Sequence, residues 1–424
     1  MIKVLSLSCL LFLLTPCFAQ KKKKNTPNNR LETELGEIDK EFLAGFALKD
    51  LDNNTIVYEF NGDKSFVAGS NTKLFTLLGG LQILKDSIAS FKYTISGDSL
   101  IIWPMADPTF LHPNFKKQPA FDKLKNSGKN IYLVSGGYSG NKYGKGWSWD
   151  NYNAGFQTEI TDFPIYGNVV SYSLINGKAN AFPDLEALYY AENQKYNGKH
   201  ILRAIDNNNL EIPTNLPGGF KQKIPIVFSN SIKEGLLTDT ILASGYATTS
   251  VYSISDRKMG EDVKTAFNTS CNTAFKSLLK DDDSLIGEHL LLNFSTVLGQ
   301  KMDTETGISL ATKHFNFSTD KLQWKDGSGL SPLNLASPLT IVSCLSQLKS
   351  VTKEEQTLLS FFTKKTPSIY VQESHLLNTF NLSGYIIAKS GKKYAFSFLN
   401  NNVTDMERLK SKILPVLNLI NEGY

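Results

Sequence analysis

Phe66-Val-Ala-Gly-Ser70-Asn-Thr-Lys-Leu-Phe-Thr76 is the stretch on which the reading of the fold turns. Past it, Leu74, Leu77, Leu78, Leu81 and Leu84 recur at helical spacing, which predicts a buried helix beginning near Ser70. Ser70 and Lys73 then lie one turn apart on one face. A serine hydroxyl attacks an acyl group only with a base to take its proton, and a desolvated lysine near the positive end of a helix gives up charge readily enough to serve. The bare Ser-x-x-Lys spacing says little, since it occurs eight times, including Ser139/Lys142, Ser255/Lys258 and Ser390/Lys393. Taken alone, Ser70 reads better as an ordinary helix cap.

Upstream, Leu43 to Leu48 and Thr55 to Phe60 are strand-like runs separated by Lys49-Asp-Leu-Asp-Asn-Asn54, an antiparallel hairpin pattern. The far end repeats it: Leu382 to Ala388 and Tyr394 to Asn400 flank the turn Lys389-Ser-Gly-Lys392. A final helix is signalled by the capping pattern Thr404-x-x-Glu407, with Leu409, Ile413, Val416, Leu417 and Ile420 on its apolar side and a possible kink at Pro415. Between about 95 and 250 the texture changes to short β-like runs rich in Gly, Asn and Tyr, read as a β-rich insertion without a long amphipathic helix. Helical patterning returns in Asp262 to Leu279 and Leu285 to Leu298. The two ends should therefore pair in one antiparallel sheet with helices packed on it.

The 424 residues suffice for two or three domains, and 41% hydrophobic with 20% charged residues describes a globular chain. The net charge of +5 is accounted for by Lys3 and Lys21 to Lys24, so the folded body is close to neutral and offers no basic surface for nucleic acid. Lys3, the apolar run Val4 to Leu14 and the small side chains Cys17 and Ala19 read as a secretory leader cleaved before Gln20. A lipoprotein signal at Cys17 fits less well because Pro16 precedes it. The expected destination is periplasmic or otherwise extracytoplasmic. Two cysteines leave with the leader, and spacing does not decide whether Cys271 and Cys344 pair. The five scattered histidines, His112 and His314 among them, show no metal-ligand spacing, so neither a metal nor another cofactor is expected.

Six segments follow one another in a fixed order. They are the Ser70 stretch, Ala106-Asp-Pro-Thr109, Gly146-Trp-Ser-Trp149-Asp150, Pro164-Ile-Tyr-Gly-Asn168, Asp326-Gly-Ser-Gly-Leu-Ser331 with Asn334-Leu335 and Pro338, and Leu382-Ser-Gly-Tyr385. In this the chain resembles the D-alanyl-D-alanine carboxypeptidase/endopeptidase family of class C low-molecular-mass penicillin-binding proteins, the penicillin-binding protein 4 type, from about 40 to 400. The resemblance implies an α/β (α+β) fold: a β-lactamase/transpeptidase-like antiparallel sheet flanked by helices, with a β-rich inserted domain. It divides the chain into a signal peptide (1–19), a basic polar tail (20–40), transpeptidase-like parts at 41–94 and 251–424, and the insertion at 95–250. It also implies a serine-type carboxypeptidase or endopeptidase acting on peptidoglycan stem peptides through an acyl-enzyme on Ser70, with β-lactams as acylating ligands.

Of the family's three active-site elements, the first matches Ser70 and Lys73. The second, Ser-x-Asn, aligns with Asp282-Asp283-Ser284 ahead of Ile286-Gly-Glu-His-Leu-Leu-Leu292, and both defining residues are replaced. Ser270-Cys-Asn272 has the letters but sits in a helical segment. The third, Lys-Thr-Gly, falls on Gln372-Glu373-Ser374. There Gln372 offers a neutral amide where a cation would meet the substrate carboxylate, and Glu373 is expected to add a like charge. Lys389-Ser390-Gly391 reads as the hairpin turn instead, and Asp326-Gly-Ser-Gly329 as a tight structural turn. Catalytic roles are thus expected for Ser70 and Lys73, with Asp282, Ser284 and Gln372 at the altered substrate-binding positions. The competing readings are, in order, a working if altered serine DD-peptidase using Ser70 and Lys73, a degenerate homologue that binds cell wall without efficient turnover, and an esterase or β-lactamase-like hydrolase, for which the insertion would have little purpose.

Overall fold

The computed structural model of the chain describes residues 26–423 apart from residues 177, 185–189, 194–195, 247–248 and 256. The proposed leader and the lysine run lie outside the described residues. Both hairpins form, and they join. A six-stranded antiparallel sheet runs in the order Thr363–Thr366, Ile369–Leu376, Thr379–Ile387, Lys393–Asn401, Leu43–Asp50 and Thr55–Phe60. Ala47 faces Ser397 in the central pairing, so the two chain ends share one hydrogen-bonded ladder.

Alternation along these strands sorts side chains onto two covered faces. Phe46, Leu48, Val371, Phe396 and Phe398 point to one face, where they meet helices Pro27–Asp39 and Met406–Gly423. Ala47, Tyr385, Ala395 and Leu399 point to the other and close the core around helices Lys73–Ile83, Cys271–Lys280, Ser284–Val297 and Pro338–Val351. Helix Met406–Gly423 buries Leu409, Ile413, Val416, Leu417 and Ile420 and continues through Pro415.

The stretch expected as a polar tail up to residue 40 is folded from Pro27 onward. Thr26 caps the helix, and Leu31, Leu35 and Ile38, spaced four and three apart, are buried against the sheet and the last helix. Burial of each such side chain is worth about 1.5–3 kcal/mol, enough to hold a short helix whose exposed face is charged. Arg408 and Lys412 also reach Glu41 just after it.

A second sheet has five strands in the order Val251–Ile254, Asn130–Val134, Ser99–Pro104, Ser87–Ser96 and Lys264–Ser270. It draws strands from both sides of the boundaries expected at 95 and 250. Lys264–Ser270 corrects the helical reading of Asp262 to Leu279, where only Cys271–Lys280 is helical. Lys264-Thr-Ala-Phe-Asn-Thr-Ser270 is strand-prone, and pairing with Ser87–Ser96 outweighs the apolar spacing that suggested a helix. The region also contains the 14-residue helix Asn230–Ala243, capped by Ser229 and packed through Leu236, Leu237 and Ile241, which the β-rich reading missed. Two three-stranded sheets complete the lobe. Cys271 and Cys344 are both buried and free. Among the described residues no helix is long and apolar enough to cross a membrane.

Candidate active site

The Ser70 stretch crosses the edge of the core as a short 3-10 turn, Gly69–Thr72, that feeds helix Lys73–Ile83. Its position is fixed from three sides. Asn381 Nδ2 donates to Val67 O and Ala68 O at 2.9 and 3.0 Å, and Asn71 Nδ2 donates to Ser383 Oγ at 2.9 Å. Thr76 Oγ1 donates to Gly327 O at 3.3 Å. Gly329, at φ +79°, presses against the turn so closely that a Cβ there would lie 2.5 Å from Gly69 O and 2.6 Å from Ser70 Cα. Only glycine allows that approach.

The turn that carries Gly329 is tied together by one carboxylate. Asp326 Oδ1 accepts from Gly329 N and Asn334 Nδ2 at 2.7 and 2.8 Å, while Oδ2 accepts from Ser331 N at 2.8 Å and Trp147 Nε1 at 2.7 Å. Trp147 belongs to the Gly-Trp-Ser-Trp segment and Glu288 to the helix after Asp283, and Glu288 Oε2 accepts from Gly327 N at 2.8 Å. Burial, and then the neighbouring Asp326, push the Glu288 carboxyl well above the usual range. The family marks read as a structural turn therefore form the back wall of the Ser70 turn.

Ser70 and Lys73 do converge, and they converge on Asp282. Ser70 Oγ donates to Asp282 Oδ2 at 3.2 Å, and Lys73 Nζ donates to Asp282 Oδ1 at 2.5 Å and to Asp282 O at 2.7 Å. Lys73 has no exposed side-chain surface, whereas Asp282 keeps 49% of its own. Asp282 adopts φ +51°, which turns its side chain and carbonyl toward the same ammonium. The next residue, Asp283, caps helix Ser284–Val297 through Ile286 N and bridges to His112 Nε2 at 3.2 Å. The His112 contact and that hydrogen bond hold the Asp283 carboxyl below its ordinary range although burial opposes them. Ser284 opens the helix and lines a cleft of about 180 Å³ with His112, Phe156, Lys223 and Asp282.

The Ile369–Leu376 strand supplies the opposite wall. Gln372 is buried and its Nε2 donates to Asp282 Oδ1 at 3.3 Å and Glu373 O at 3.0 Å. Ser374, two residues on, points the same way, and its Oγ accepts from Ser70 N at 2.7 Å. Glu373 points oppositely, into contact with Lys365 and His375. Those partners hold its carboxyl down at about 2. The like charge expected from Glu373 is thus absent from the site, and Asp282 supplies one instead. Ser270 caps helix Cys271–Lys280 through Thr273 N, and Lys389-Ser390-Gly391 stays in its hairpin turn.

Chemically, Lys73 is a donor in both of its hydrogen bonds, and the acceptor beside the Ser70 hydroxyl is a carboxylate. Among the described residues no group of three His, Cys, Asp or Glu side chains could hold a metal ion. The sequence held two signals for what was missed. An aspartate before an apolar run marks Asp283 as a cap, and strand alternation separates Glu373 from Gln372 and Ser374.

A family model described as D-Ala-D-Ala carboxypeptidase 3 (S13) matches residues 29–363. No curated protein matches in sequence. Among solved structures, penicillin binding protein 4 (dacB) from Haemophilus influenzae superposes with a TM-score of 0.71 at 18% identity, covering 93% of this chain and 98% of that one. That protein has also been solved with a β-lactam, a form that superposes at 0.66. Bd3459, a predatory peptidoglycan endopeptidase from Bdellovibrio bacteriovorus, reaches 0.50 at 13% identity over 88% of this chain and 92% of that one. At such identities the likeness concerns the fold, and it agrees with the antiparallel sheet, flanking helices and β-rich lobe described above.

Proposed function

We propose, for a chain that belongs to the D-Ala-D-Ala carboxypeptidase 3 (S13) family, that it engages peptidoglycan stem peptides outside the cytoplasm and forms an acyl-enzyme on Ser70 only slowly. A peptidoglycan-directed serine peptidase is what family and fold support. The observation that carries the finer reading is the double hydrogen bond from Lys73 Nζ to Asp282. The lysine expected to relieve Ser70 of its proton is committed as a donor to the residue standing where the family has a serine.

The ligand side weakens in the same direction. A stem peptide ends in a carboxylate, but the strand offers the Gln372 amide rather than an ammonium, and Asp282 is half-exposed nearby. Missing acid/base groups each lower turnover by about a hundredfold or more. Binding with rare acylation therefore fits better than rapid hydrolysis. The extracytoplasmic setting is supported by the leader pattern at residues 1–19.

Labelling by a fluorescent penicillin, followed by intact mass and peptide mapping, tests this reading. One label should appear slowly on Ser70 and vanish in Ser70→Ala, with little D-alanine released from a D-Ala-D-Ala peptide. D-alanine release near the ordinary enzymatic range of about 1–1000 per second, or a label on Ser284 or Ser328, would refute it.

A further inference from the structure

We propose that the Ser374 hydroxyl occupies the position the reacting carbonyl oxygen must take, so that the oxyanion-binding amide of Ser70 is blocked by the protein's own side chain. The inference rests on the reading of Ser70 as the acylated residue. Attack of Ser70 Oγ on an acyl carbon places negative charge on the carbonyl oxygen. The nucleophile's own backbone N–H is a donor that can face that oxygen, and such donors act at about 2.7–3.1 Å. Here that N–H already donates to Ser374 Oγ at 2.7 Å. One amide hydrogen serves one acceptor well, so an incoming carbonyl must first displace the hydroxyl.

The surroundings hold the hydroxyl in place. Ser374 is fully buried. Its own O–H is directed to Ala68 O at 3.4 Å, leaving the oxygen's lone pairs toward Ser70 N. Gly69, at φ +52°, is the residue that makes room: a Cβ there would lie 2.2 Å from Ser374 Oγ. On the other side Gly329 backs the same peptide, where a Cβ on it would lie 2.5 Å from Gly69 O and 2.6 Å from Ser70 Cα. The Gly69–Ser70 peptide thus lies packed between the Ser374 side chain and the Asp326–Ser331 turn. A residue without a side-chain hydroxyl at 374 leaves the amide free. On the reading of slow acylation, the same contact would let a ligand fill the cleft while its carbonyl stays outside the hole.

The test uses p-nitrophenyl acetate, a neutral ester whose reaction does not depend on carboxylate recognition by residue 372. Ser70 Oγ forms the bond to the acetyl carbon, the ester C–O bond breaks, p-nitrophenolate leaves with the electron pair, and the serine proton passes to Asp282 or water. Acetylation is followed on the full-length protein, on Ser374→Ala and on Ser374→Gly. Each is paired with a version that also carries Ser70→Ala, to subtract surface acetylation, and folding is checked by circular dichroism. Both variants should acetylate Ser70 at least tenfold faster, toward the hundredfold typical of one oxyanion donor. The gain should lie in the limiting rate constant, with the half-saturating ester concentration unchanged, a split that general loosening of the site would not produce. No gain in either folded variant, or a gain that survives Ser70→Ala, overturns the proposal. The reading of Ser70 fails separately if the penicillin label on the otherwise native chain survives Ser70→Ala.

Discussion

The wall behind Ser70 and the wall in front of it have been built under different constraints. Behind it, Asp326 gathers four hydrogen bonds from Gly329, Ser331, Asn334 and Trp147, and all of them set the shape of a turn. In front of it, Asp282, Gln372 and Ser374 take up the Lys73 ammonium, a carboxylate oxygen and the Ser70 amide. The rear wall fixes the turn that carries Ser70, while the front wall satisfies the polar groups of Ser70 and Lys73 internally. Placing a side chain and leaving it free to react are thus separable properties, and a chain can keep the first while the second is spent on structure.

Breaking the rear wall should have the largest effect. Gly329→Ala forces a Cβ to within 2.5 Å of Gly69 O at a backbone φ of +79°, which no L side chain adopts without strain. Chemical denaturation should show a loss of at least about 2 kcal/mol, and penicillin labelling of Ser70 should disappear with it. A variant of native stability that still labels would mean that the rear wall does not position the serine.

Rewriting the front wall should act on rate. In Asp282→Ser the buried Lys73 loses the carboxylate that accepts its hydrogen bond, which frees the amine to face the Ser70 hydroxyl as its base. Gln372→Lys alone should gain little, because the new ammonium would pair with Asp282 rather than with a ligand carboxylate. The double variant should label with penicillin about tenfold faster than the native chain, or roughly 1.4 kcal/mol of transition-state stabilisation. That gain should exceed the sum of the single effects, as expected for side chains in one hydrogen-bond network. Purely additive singles would show that Asp282 and Gln372 do not act through each other.

Much of the rear wall and of the sheet was legible because local pattern and tertiary packing agree there. Leu409, Ile413, Val416, Leu417 and Ile420 form the buried stripe that the spacing predicts, and the two hairpins join as one ladder. Elsewhere distant partners decide. Lys264–Ser270 is a strand because Ser87–Ser96 accepts its ladder, and Pro27–Asp39 is ordered because the last helix, nearly 400 positions away, covers Leu31 and Leu35. At the site, Ser70, Lys73, Asp282 and Gln372 were legible as positions through the family resemblance. Their bonding was not, because which atom of Asp282 meets Lys73 depends on a backbone φ of +51° that three consecutive aspartates do not disclose.

The smallest expected effect separates the two faces of the Ile369–Leu376 strand. Gln372 and Ser374 face Ser70, whereas Glu373 faces Lys365 and His375 beside a groove of about 410 Å³ lined by Phe380, Leu382 and Ile413. Glu373→Gln should therefore leave the penicillin labelling rate within about twofold of native, a change of less than about 0.5 kcal/mol. Its signature should appear in stability instead. The carboxyl is held down at about 2, first by the hydrogen bond with His375 and then by Lys365. In the unfolded chain it returns to about 4.5, so between these values the unfolded state binds the extra proton and stability rises with pH. The contribution is present above about pH 4.5 and lost as pH falls toward 2. Because the group is partly exposed, solvent screens the pair and its worth is under about 1 kcal/mol. Urea unfolding should thus show Glu373→Gln slightly less stable than native at pH 6 to 7, with the gap closing toward pH 2. A labelling rate that instead shifts with Glu373→Gln would place this side chain on the Ser70 face and undo the division between the two walls.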